Sequence, residues 1–209
     1  MSKNISETLK SFINSEDKLY HRFNSWHNCF KYFQDEYLND KGDDDSAALH
    51  LGFYLASWGM YRGSTFLLQN DYTIHIGVVK ILKKYYTGST DIDYLKIKNI
   101  SDEIIEHYQA YAHKNGKKNN TASDTLITKI LLGSLGCTPA YDRFFLNGLR
   151  LQNQKDKHCK LVKRFNQNSL DTLNEFYENN QQEFKQFKDK YPKMKLLDMY
   201  FWKLGFDNE

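Results

Sequence analysis

Lysine and aspartate are the side chains with which one stretch of this chain could do chemistry. Residues 125–150 read Thr-Leu-Ile-Thr-Lys-Ile-Leu-Leu-Gly-Ser-Leu-Gly-Cys-Thr-Pro-Ala-Tyr-Asp-Arg-Phe-Phe-Leu-Asn-Gly-Leu-Arg. The pattern predicts an apolar helix with Lys129, a tight glycine turn, and a second helix opened by Ala140 that carries Asp142 and Arg143. Backbone N–H groups exposed at the start of such a second helix can hold a phosphate, helped by the helix dipole. Residues 150–164 follow at once, with Arg150, Lys155, Lys157, Lys160, Lys163 and Arg164 set against one acid, Asp156. A nucleic-acid backbone could continue along that run of charge.

Residues 132–140, Leu-Gly-Ser-Leu-Gly-Cys-Thr-Pro-Ala, match a helix-hairpin-helix pattern. With Lys129 ahead of the turn and Pro139-Ala140-Tyr141-Asp142 after it, the stretch resembles the helix-hairpin-helix DNA glycosylases, in particular degenerate members of the oxoguanine-glycosylase fold, over about 20 residues. The resemblance implies a lysine that attacks the sugar C1′ of an extruded nucleotide and an aspartate that stabilises the developing cation. It makes Lys129 the candidate nucleophile and Asp142 the candidate acid. The nucleic-acid contacts would be Gly133, Gly136, Thr138, Arg143, Arg150, Lys157, Lys160, Lys163 and Arg164. No metal and no cofactor is expected. Ser134 stands where the first turn glycine is usual, and Thr138 where the bifunctional members carry a lysine. The same residues also have a plain reading, in which Lys129 is a solvated helix residue, Asp142 and Arg143 form a surface pair, and Gly133 and Gly136 turn two core helices.

Other chemistries find less. Ser134 lacks the GxSxG spacing of a nucleophile elbow, and no P-loop or GxGxxG occurs. The three cysteines, Cys29, Cys137 and Cys159, are far apart and form no CxxC pair, so neither a zinc site nor a disulfide framework is expected. Asp43, Asp44 and Asp45 suit a solvated helix start better than a cation site.

The elements that must position these residues are helical. Only two prolines, Pro139 and Pro192, interrupt 209 residues, and 15 Tyr with 14 Phe argue against disorder. A net charge of +3 excludes a polycation, so attraction to nucleic acid has to come from a local patch. Leu19, Phe23, Trp26, Phe30, Phe33 and Tyr37 recur at spacings of four and three and predict a core-facing helix opened by Ser15. Ser46 to Arg62 is apolar nearly all round; Ser101 is expected to cap a helix ending near His113; a long helix starts at Asn168 or Ser169 and runs to Pro192; the last ends at Gly205. The expected fold is all-α, a globular domain of about eight or nine helices with a hairpin-like turn near 133–140. One domain spans 1–209, or else two lobes, 1–113 and 121–209, are joined by the polar segment 114–120. The N-terminus lacks the apolar core of a signal peptide and no run is long enough to span a bilayer, so a soluble cytoplasmic protein is expected. Two functions follow: a nucleic-acid-associated helical protein with glycosylase-like character and DNA as partner, or a non-catalytic helical domain that binds a protein or small ligand through aromatic surface.

Overall fold

The computed structural model describes residues 4–16, 20–63, 65–114, 122–157 and 159–209. Among them the chain is all-helical and contains no strand. Ten α-helices follow one another: α1 Ile5–Glu16, α2 Phe23–Asp35, α3 Asp44–Ser57, α4 Ile76–Tyr85, α5 Tyr94–Lys114, α6 Asp124–Ser134, α7 Arg143–Lys155, α8 Gln167–Asn179, α9 Gln181–Phe184 and α10 Lys193–Phe206. Single 3₁₀ turns form at Tyr37–Asn39, Phe66–Gln69 and Tyr72–His75. No described helix is long and apolar enough to cross a membrane. The chain divides into two compact units, a terminal unit of 1–19 with 136–209 and a middle unit of 20–135. Of the polar segment 114–120, residues 115–120 lie outside the described residues.

Helix boundaries follow local hydrogen bonding. Ser15 belongs to the last turn of α1, where its hydroxyl donates to Phe12 O at 2.9 Å, and does not open the next helix. Ser101 likewise sits inside α5, its Oγ bonded to Ile97 O. That helix starts earlier, and Asp93 accepts from Lys96 N at 3.0 Å. The helix expected to reach Pro192 is interrupted at Asn180, whose side-chain amide donates to Phe176 O and competes with the helical ladder. Asn166 opens α8 with a reciprocal cap, accepting from Ser169 N while Ser169 Oγ accepts from Asn166 N.

In the terminal unit the buried hub is α10. Its residues Met194 to Trp202 are all buried, and α7, α1 and α8 pack on it. Two glycines allow α7 and α10 to meet at backbone distance. A Cβ on Gly148 would run into the Phe201 carbonyl oxygen, and one on Gly205 into that of Phe144. Gly205 therefore lies within α10 as a packing residue and does not stop the helix. The obstacle is backbone, which cannot rotate aside. Gly148→Ala and Gly205→Ala are each expected to cost about 2–3 kcal/mol, read as a lower denaturant midpoint at unchanged slope.

In the middle unit α6 is buried from Leu126 to Ser134, with α2 and α3 against it. A buried histidine sits elsewhere in the same unit. His75 is fully buried and bonded through both ring nitrogens, Nε2 to the Tyr61 hydroxyl and Nδ1 to the Tyr108 hydroxyl, each at 2.7 Å. Burial, and secondarily His107, push its pKa down from 6.5 to about 3. The unfolded chain therefore accepts a proton that the folded unit refuses. The stability tied to His75 is complete above about pH 6.5 and is lost as pH falls toward 3, at up to about 1.4 kcal/mol per pH unit. The urea midpoint is expected to drop between about pH 7.5 and about pH 5, and His75→Phe to be less stable at neutral pH but flatter across that range.

Candidate nucleic-acid interface

The turn at 133–140 is built from buried residues. In the last turn of α6, carbonyls without helical partners are satisfied by α2. Trp26 Nε1 donates to Leu132 O at 3.1 Å, and Gln34 Nε2 donates to Ser134 O at 2.8 Å. Gly133 is buried, and a Cβ there would collide with the Tyr54 ring, so glycine serves packing at that point. Gly136 has a positive φ of +65, a conformation that favours glycine. Gly136 and Thr138 are buried as well.

Lys129 is 4% exposed, with Nζ 5.3 Å from the centroid of the Trp58 ring. That corrects the reading of Lys129 as a solvated helix residue, because α6 is buried on every side from Leu126 onward. A lysine so enclosed makes a cation–π contact with the Trp58 ring. Lys129 belongs to the middle unit and Asp142 to the terminal unit.

The second helix starts at Arg143, not at Ala140. Asp142 is its N-cap, with the carboxylate accepting from Phe145 N at 3.1 Å. The amide expected to face a phosphate is also committed: Ala140 N donates to Asp198 Oδ1 at 3.0 Å. Asp198 in turn accepts from Lys195 Nζ through Oδ2 at 2.9 Å, with both side chains buried. A carboxylate of the terminal unit's own hub helix thus accepts from the Ala140 amide.

The cations behave differently. Arg143 is exposed and paired with Glu209 at 2.9 Å. Arg150, Lys155, Lys157, Lys160, Lys163 and Arg164 are all exposed. Arg150 is held by Asn147 Oδ1 at 2.8 Å and Gln154 Oε1 at 3.2 Å. The other five form no ion pair among the described residues. They sit on the end of α7 and on the loop that follows. Asn153 clamps that loop to α7: its Nδ2 donates to Leu161 O and its Oδ1 accepts from Leu161 N, both at 2.9 Å.

Beside the clamped loop lies a cleft of about 570 Å³ in the terminal unit. One wall is the loop, with Asp156, Cys159 and Lys160; the other is α8, with Asn168, Thr172, Glu175 and Asn179. Burial raises the pKa of the Cys159 thiol, and Asp156 and Glu175 raise it further, so the thiol stays protonated and is a poor nucleophile. Among the described residues no group of His, Cys, Asp or Glu is placed to hold a metal ion.

Sequence reasoning found the cations but missed the cleft. The available signal was the polar stripe at 168, 172, 175 and 179 on one face of α8, a pattern that ordinarily marks a solvated helix surface. No family model, no curated protein and no solved structure matches the chain.

Proposed function

We propose that this chain associates with nucleic acid through the cationic strip at 150–164, as a binding protein without base-excision chemistry at Lys129 and Asp142. The observation that supports the reading is a set of five exposed cations without an ion pair among the described residues, Lys155, Lys157, Lys160, Lys163 and Arg164, on a segment clamped by Asn153. Unpaired surface cations release condensed counterions when they meet phosphates, and this favours binding at modest salt. The burial of Lys129 and the commitment of the Ala140 amide to Asp198 speak against the hairpin as the phosphate contact and against the lysine as a nucleophile.

Fluorescence anisotropy of labelled single-stranded and duplex oligonucleotides at low salt tests the reading. Binding with Kd of about 10⁻⁵ M or tighter is expected. Absence of binding to either would overturn it. The non-catalytic protein- or ligand-binding reading would then stand, for which Leu49 and Phe53 on α3, 50% and 63% exposed, are the observation.

A further inference from the structure

Lys160 belongs both to the cationic strip and to the wall of the cleft. A strand tracking the strip would therefore bring a phosphate to the cleft's edge, and the cleft lining determines what can enter behind it. At about 570 Å³ the cleft falls in the size range of small-molecule sites. Its chemistry is planar and polar. The amides of Asn168 and Asn179 have no hydrogen-bond partner among the described residues. Gln152 accepts from the Tyr200 hydroxyl through Oε1 at 2.9 Å, which leaves its NH₂ as the donor to offer. Glu175 and Asp156 supply carboxylate acceptors.

Flat amide and carboxylate edges match the edge of a nucleobase. Carboxylates accept from exocyclic amines and ring N–H groups, and amides both donate and accept. The two carboxylates repel a phosphate, so a nucleotide can enter with only its base inside and its phosphate toward Lys160. Duplex DNA has its Watson–Crick edges paired, whereas an unpaired base presents all of its edges.

We infer that the cleft takes one unpaired nucleotide, its base against the edges of Asn168, Glu175 and Asn179 and its phosphate on Lys160. The inference rests on the strip reading above and adds to it a preference for unpaired bases. The chemistry could be supplied by a single strand or by a free nucleotide.

The test compares a single-stranded oligonucleotide, an abasic strand of the same length and charge, and free nucleoside 5′-monophosphates. Each is titrated against the wild-type chain and against the triple variant Asn168→Ala/Glu175→Ala/Asn179→Ala. Asn168, Glu175 and Asn179 are exposed, and thermal melting by circular dichroism checks that the variant folds. The wild type is expected to bind the base-bearing strand about tenfold more tightly than the abasic one, the magnitude of one well-held base. The variant should bind both strands alike, at the wild-type salt slope. Tighter binding of a monophosphate than of the strand, lost in the variant, would assign the cleft to a free nucleotide; the reverse order would assign it to the polymer. Equal wild-type affinity for base-bearing and abasic strands, with no monophosphate binding that the variant loses, would overturn the inference and leave the strip reading intact. Failure of the wild type to bind any strand or monophosphate at low salt would overturn both.

Discussion

Replacing Asp198 with alanine is expected to destabilise the terminal unit by about 4 kcal/mol, the cost of breaking a buried ion pair from one side. Three groups depend on this carboxylate. Lys195 Nζ would lose its carboxylate partner in a site where its side chain is 3% exposed. The Ala140 N–H would lose its acceptor in a buried loop. The segment between α6 and α7, which lies outside both helices, would lose the Ala140 bond to α10. Removing both charges should cost less. Lys195→Met/Asp198→Leu removes the lysine together with its carboxylate partner and leaves mainly the unmet amide, so it should recover about half of the loss. Urea denaturation of the two variants checks the order. An Asp198→Ala midpoint equal to wild type would show that the pair carries no such weight.

Loss of charge from the strip should have a comparable effect on binding. Lys157→Gln/Lys160→Gln/Lys163→Gln/Arg164→Gln removes four exposed cations that make no ion pair among the described residues, so folding stability should change little. With one phosphate met by each, the affinity for a single strand at about 0.1 M salt should fall by about 10²–10³-fold. Charge reversal at Glu175 cannot substitute for this test, since Glu175 also lines the cleft. An affinity within about twofold of wild type would mean that these cations do not meet phosphates.

The sequence carries the helices and the cations much better than it carries the site. Apolar spacing at three and four places Phe23, Trp26 and Phe33 on the buried side of α2, because the period of an α-helix is local information. Exposure of Lys157, Lys160, Lys163 and Arg164 was legible for the same reason: a run of like charge is not buried without partners. Lys129 was not legible. Its neighbours are apolar on both sides, and nothing local says that Trp58, distant in sequence, closes over its ammonium. Ala140 looked like a helix start, whereas the acceptor for its amide is Asp198, brought there only by tertiary packing. Gly205 read as a stop, and its true constraint is the Phe144 carbonyl on another helix. The cleft depends on a loop clamped by Asn153 and on a polar face of α8, and neither differs in sequence from ordinary solvated surface.

The most direct measurement is the dependence of single-strand affinity on salt, taken for the wild type and the quadruple strip variant together. For four phosphate contacts through these residues, the slope of log K against log salt should be about −3 or steeper in the wild type and shallower by about 3 units in the variant. Equal slopes in the two proteins would contradict phosphate binding by the strip, and a flat wild-type line would contradict nucleic-acid association itself.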